Sequence, residues 1–183
     1  MKIKRIIEDK VKVDYVLIDG FLNINSNYFI KEINKGIGEK NNNNFNTNVI
    51  GHMTSYEYFN NNKNFLKSIL PLFDCLDSLD NIKPYNLSSA WGIREDFSHF
   101  TKSHNHSPSY LSGIIYLNDH NQTLFFPEIN KKIKPKLNYF IIFSSFLTHK
   151  TIRNTTDVNK YAISFNLNGV GEHRLKIKEE GFI

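Results

Sequence analysis

From Tyr85 onward the chain is a succession of short apolar runs cut by turn-forming residues. That punctuation limits what it can become more than any other feature. Asn86–Arg94, Tyr110–Leu117, Thr123–Phe126, Lys131–Lys134, Tyr139–Phe143 and Tyr161–Asn168 read as strands, and Arg174–Lys178 as a last edge strand. Each run is too short for a substantial helix, and short strands joined by loops fit a jelly roll or sandwich. Fifteen Phe and nine Tyr favour the same β-rich core.

The first half reads differently. Val11–Phe21 is apolar and alternating, a first strand with Gly20 as a break. Asn25-Ser26-Asn27 caps a helix expected to run to about Asn34. Gly36–Asn48, with its asparagine run, reads as a loop, and Val49–Thr54 as a short strand. Ser55–Leu79 carries helical spacing at Phe65, Ile69, Leu72, Phe73 and Leu76, with Pro71 placed to kink or split the helix. No boundary or repeat interrupts the chain. A single domain over 1–183 is expected, residues 1–84 supporting a jelly-roll core over 85–183.

The formal net charge is +5, but the basic residues are scattered and form no nucleic-acid motif. The single Cys75 cannot form an intramolecular disulfide, and is expected to be a small buried apolar residue. No leader-like N-terminus and no apolar stretch of membrane-spanning length is visible. A cytoplasmic protein follows, in the host-cell cytoplasm if its source is viral, with no membrane partner and an oligomeric state left open.

The chemistry lies in three histidines. His104 and His106 precede one apolar run, and His149 ends another. Side chains two apart on an extended chain point to the same side, so His104 and His106 can face one ion while Asn105 faces away. A ligand from a distant strand then completes one face of an octahedron, and the other face stays open. Two His and one carboxylate in that arrangement mark non-haem Fe(II) oxygenases. Here His106 stands where the carboxylate is usual, leaving the site one negative charge short, a deficit that a dianionic cosubstrate offsets. Glu128 and Asp119 are the carboxylates that can replace His106 as ligand, although neither has the spacing. Lys160, at the mouth of its strand, is placed to hold a cosubstrate carboxylate, with Ser164 and Tyr116 as further donors. His52, His99, His120 and His173 lack this context and read as loop or surface histidines.

At these residues the chain resembles the 2-oxoglutarate- and Fe(II)-dependent oxygenases, and more narrowly those of tailed marine bacteriophages and bacteria. The resemblance is carried by Ala90-Trp91, His104-Asn105-His106-Ser107-Pro108, Ser112–Leu117, Phe143–His149 and Lys160–Asn166. It covers roughly residues 86–168. Prolyl hydroxylases are more distantly similar. The resemblance implies a double-stranded β-helix core (jelly-roll, cupin-like) with flanking helices. It also implies Fe(II) at His104, His106 and His149, 2-oxoglutarate on Lys160, Tyr116 and Ser164, and O2 as oxidant. Two residues depart from the family pattern: His106 for a carboxylate and Lys160 for arginine, which keeps the charge but loses the bidentate fork.

The expected activity is hydroxylation of a C–H bond with release of succinate and CO2. The alternatives are a three-His cupin-like metal protein that does not use 2-oxoglutarate, and a non-catalytic jelly-roll phage protein. The substrate is unidentified, with a protein side chain or small molecule favoured and nucleic acid open. Trp91, Arg94 and Asn166 are the candidate substrate-pocket residues. The Asp96–Ser103 loop, which runs up to the histidine pair, and the Gly36–Asn48 loop can shape its mouth.

Overall fold

The computed structural model describes residues 4–8, 11–39, 47–79 and 82–170. The expected Arg174–Lys178 strand and His173 lie outside the described residues, as does most of the asparagine-rich loop. In chain order the elements are β1 (Lys4–Glu8), β2 (Val11–Tyr15), β3 (Leu17–Phe21), α1 (Ser26–Glu39), β4 (Val49–Ile50), β5 (His52–Met53) and α2 (Lys63–Asp77). There follow β6 (Tyr85–Glu95), β7 (Phe100–Thr101), β8 (Leu111–Tyr116), β9 (Leu124–Phe126), β10 (Lys131–Ile133), β11 (Tyr139–Ser144), β12 (Lys150–Thr151) and β13 (Lys160–Gly169).

The major sheet has the order β3-β11-β8-β13-β6-β5, every pair antiparallel. The facing wall is β10-β9-β12, with the β4-β7 pair beside it through a Thr101 N–H bond to Thr151 Oγ1. Neighbours such as β11-β8 and β13-β6 are far apart in sequence, the crossed connectivity of a jelly roll.

Period two along each central strand separates two cores. Phe140 and Ile142, Ile163, Phe165 and Leu167, and Leu111 and Ile115 pack with the helices on the outer face. Ile141 and Phe143, Ala162 and Tyr116 turn inward onto Leu124, Phe126 and Ile133 of the facing wall. The helices therefore cover the large sheet from outside. α2 presents Phe65, Ile69, Leu72 and Leu76, and α1 presents Phe29 and Ile33. Gly92 and Gly113 are bare where something descends on the sheet: a Cβ on Gly92 would strike Ile33, and one on Gly113 the Phe165 ring.

Several expectations need correction. The Val11–Phe21 run breaks at Val16, and Gly20 sits inside β3 opposite Phe140. α1 begins where expected, with Asn25 Oδ1 accepting from the Tyr28 N–H, but runs to Glu39. α2 starts at Lys63, capped by Asn62, and passes through Pro71 unsplit. Its buried face outweighs the roughly 3 kcal/mol that an interior proline costs. Cys75 is exposed on α2, where burial was expected. His120 is buried, its ring set between the Val158 carbonyl and the Gln122 N–H.

Candidate metal centre

The histidines meet because two strand ends are stitched together. His104 and His149 form an antiparallel bridge, each backbone N–H donating to the other's carbonyl. The His106 N–H donates to the Ser145 carbonyl, which fixes the next turn of chain. The three rings then share one space. Ring centroids lie 4.4 Å apart for His104–His149, 4.9 Å for His104–His106 and 5.0 Å for His106–His149, the last pair stacked. One nitrogen from each lies within 4.8 Å of the other two.

Hydrogen bonding sets the tautomers. His104 Nδ1 lies 2.8 Å from the Lys102 carbonyl and His149 Nδ1 lies 3.2 Å from the Leu147 carbonyl. A carbonyl only accepts, so each Nδ1 carries the proton and each Nε2 keeps its lone pair. His106 Nε2 sits 3.3 Å from His149 Nε2. Either a proton on His106 Nε2 or a cation must separate those atoms. Burial, with His104 next, pushes His106 down to about 3. Burial, with His104 and His106, holds His149 well below the usual imidazole range, and burial lowers His104 too. Three neutral imidazoles with converging lone pairs are a donor set suited to a divalent transition metal.

No carboxylate joins this group among the described residues. Glu128 Oε1 accepts the Thr148 N–H and so tethers the turn before His149, and Asp119 Oδ1 accepts the Leu137 N–H. Neither carboxylate belongs to the group of ligand atoms that lie within 4.8 Å of one another, and Glu128 Oε2 is buried without a hydrogen-bond partner.

Inward-facing residues of β6, β8 and β13 extend the site into a narrow cavity of about 40 Å³. The histidines, Tyr116, Lys160 and Ser164 line it, as does Glu95. Lys160 and Glu95 are cross-strand partners and form an ion pair, 4% and 0% exposed. Burial, then the Glu95 charge, pushes the Tyr116 phenol upward, so it stays a hydrogen-bond donor. Sequence reasoning missed Glu95. Period two from Trp91 through Ile93 puts it on the inner face, which was the available signal.

Trp91 and Asn166 line a second cavity with His104 and His106. The Trp91 ring is 6.0 Å from that of His106, and its buried Nε1 has no hydrogen-bond partner. Arg94 is on the opposite face of β6, donating to Asn34 of α1 and paired with Asp96. A larger groove beside Asp14, Lys83 and Phe146 contains none of the three histidines.

His52 and His99, expected as unaffiliated loop residues, gather around Asp96. His52 Nε2 is 3.2 Å from Asp96 Oδ2, Arg94 Nε is 2.9 Å from Oδ1, and His99 Nδ1 accepts the Asp96 N–H. That carboxylate already holds a guanidinium, and the accepting Nδ1 leaves the proton of neutral His99 on Nε2. The cluster clamps the end of β6.

No protein-family model matches this sequence, and no curated protein does. Solved structures match in fold. The viral collagen prolyl hydroxylase of Paramecium bursaria Chlorella virus-1, in complex with 2-oxoglutarate, is 19% identical. The match covers 85% of this chain and 96% of that one, with a TM-score of 0.63. A prolyl-4-hydroxylase of Pseudomonas putida is 12% identical over 85% of this chain and 93% of its own, also with a TM-score of 0.63. HygX of Streptomyces hygroscopicus, with nickel and 2-oxoglutarate bound, is 11% identical over 85% and 83%, with a TM-score of 0.60. At these identities the likeness is one of fold: the chain has the jelly-roll architecture of 2-oxoglutarate- and Fe(II)-dependent oxygenases.

Proposed function

We propose that the chain is an Fe(II)- and 2-oxoglutarate-dependent dioxygenase that hydroxylates a C–H bond. The observation that carries this reading is one cavity lined both by three neutral imidazoles and by a buried cation with two hydroxyls, those of Tyr116 and Ser164. His104, His106 and His149 would hold the iron. Lys160, Tyr116 and Ser164 would hold the distal carboxylate of 2-oxoglutarate. When bound, the metal and cosubstrate supply the oxidising power, with one oxygen atom of O2 entering the substrate and the other entering succinate as CO2 leaves.

The chain's own residues orient and exclude. The carbonyls of Lys102 and Leu147 fix two imidazole rings in the ligating tautomer. Phe126, Phe143 and Leu124, all buried, keep the inner wall dry. Trp91 and Asn166 line the second cavity, which shares His104 and His106 with the first and suits a substrate. Its described lining, which includes Tyr56 and Asn48, bears no acid and no lysine or arginine. A protein side chain or neutral small molecule fits it better than a polyanionic nucleic acid. No helix among the described residues is long and apolar enough to cross a membrane. A cytoplasmic enzyme, related by its motifs to phage oxygenases, is consistent with this reading.

A second reading has one observation in its favour. Lys160 already has a carboxylate partner in Glu95, so the cation is satisfied without 2-oxoglutarate, which is compatible with a three-His cupin-like protein that does not use it. Cosubstrate consumption separates the two. Iron-loaded protein supplied with 2-oxoglutarate and O2 is expected to release succinate, with or without a prime substrate, and His149→Ala to release none. Iron bound at full stoichiometry without succinate would favour the second reading.

A further inference from the structure

The cavity holds one carboxylate paired with its one lysine and none in the three-histidine group. Glu95 is fully buried at the end of β6 and directly opposite Lys160 at the start of β13. Its Oε2 pairs with the Lys160 ammonium. Its Oε1 accepts from Thr101 Oγ1 at 2.9 Å and is 3.5 Å from Thr151 Oγ1. Thr151 Oγ1 itself accepts from the Thr101 N–H and from Gln122 Nε2, which leaves its own proton for the carboxylate. The carboxylate is thus built into the wall as the ion-pair partner of Lys160, held in place by the Thr101 hydroxyl.

Charge counting gives it a purpose. A divalent ion on three neutral imidazoles carries two positive charges, and Lys160 adds a third. Glu95 brings the total back to two, which a dianion neutralises. A two-His, one-carboxylate site with a basic residue reaches the same total. The anion missing from the three-histidine set is present on the lining of the same cavity, paired with Lys160.

We infer that Glu95 is a positioning residue that keeps Lys160 charged and aimed into the cavity before cosubstrate arrives, and so supplies the negative charge that the three-histidine set lacks. The inference rests on the proposed dioxygenase reading. An ammonium buried without a counter-ion sheds its proton. The other titratable groups lining the cavity are Tyr116, a neutral phenol, and the three neutral histidines. None of them can replace Glu95 as counter-ion. With Glu95 in place, Lys160 meets the incoming carboxylate already protonated. Without it, cosubstrate binding must draw a proton from solvent.

The test is calorimetric binding of 2-oxoglutarate to Mn(II)-loaded protein, anaerobically, in buffers of different ionisation enthalpy between pH 7 and 8.5. Wild-type protein is expected to take up no proton and to show a flat affinity profile. Glu95→Gln, close to isosteric, is expected to take up close to one proton per cosubstrate. Its dissociation constant should rise about tenfold per pH unit, the slope of one linked proton. Adding Lys160→Arg to Glu95→Gln should flatten the profile again, since a guanidinium does not lose its proton. This double variant also carries the test should the single one not fold, because a double variant with a pH-linked proton uptake contradicts the inference. A folded Glu95→Gln that matches wild type in uptake and profile overturns the inference and leaves the dioxygenase reading standing. Wild-type protein that binds Mn(II) but no 2-oxoglutarate overturns both.

Discussion

Replacing Lys160 by alanine tests two consequences of one buried pair. Lys160 is 4% exposed and Glu95 is 0% exposed, so the variant strands a carboxylate in a water-poor cavity. Breaking a buried pair by removing one partner costs about 3–5 kcal/mol. For a chain of this size about 2–4 °C is lost per kcal/mol, so the melting temperature is expected to fall by about 6–20 °C. Cosubstrate loses a charge-assisted bond in the same cavity, worth about 2–5 kcal/mol, and its apparent constant should rise roughly 30-fold or more. Thermal melts read the first effect. Anaerobic titration of the weak visible band of the Fe(II)–2-oxoglutarate complex reads the second. The double variant Glu95→Gln/Lys160→Met removes both charges, and should regain most of the stability but none of the cosubstrate affinity. Lys160→Ala curves that superimpose on wild type in both assays would remove the pair from the account.

Three further outcomes are expected. His149→Ala removes the most buried of the three ligands, and metal analysis after anaerobic reconstitution should find iron lost. The histidines bear on pH stability with a definite sign. Held neutral in the folded protein, with His106 at about 3, they favour folding less as the unfolded chain protonates below its ordinary range. The unfolding free energy of the metal-free protein, read from denaturant melts, should therefore fall as pH drops from about 6.5 toward 3, by about 1.4 kcal/mol per unit for each histidine that stays neutral. A flat profile there would contradict the burial argument. Gly113→Ala puts a methyl into the Phe165 ring on the sheet's outer face, and should cost about 1–3 kcal/mol by overpacking, measured by chemical unfolding, with metal binding retained.

The jelly-roll strands were legible because their alternation is a local pattern. Phe140 and Ile142 face the helices while Ile141 and Phe143 face the opposite wall. β7 and β12 were not legible, because each is two residues long and exists through partners far along the chain. Gly36 shows where a residue-type rule misleads. It opens the stretch read as a loop, yet it lies inside α1 at a point where a Cβ would collide with Tyr58 and Thr54. His104, His106 and His149 were readable from their places at strand ends, and the structure brings their nitrogens together. The partner of Lys160 was hidden for a different reason. Arg94-Glu95-Asp96 looks like one solvated strand end, but period two sends Arg94 outward to Asn34 and Glu95 inward to Lys160. Which face a charge takes depends on register with the neighbouring strand.

The central claim is that one cavity holds a metal on three imidazoles and a keto-acid on Lys160. A crystal structure with Mn(II) and the inert analogue N-oxalylglycine tests it most directly. The account predicts nitrogens of His104, His106 and His149 within about 2.0–2.3 Å of one ion, near other imidazole–metal distances. It also predicts the analogue's distal carboxylate on the Lys160 ammonium, which remains paired with Glu95. A metal whose shell lacks one of these histidines, or an analogue seated away from Lys160, would contradict it.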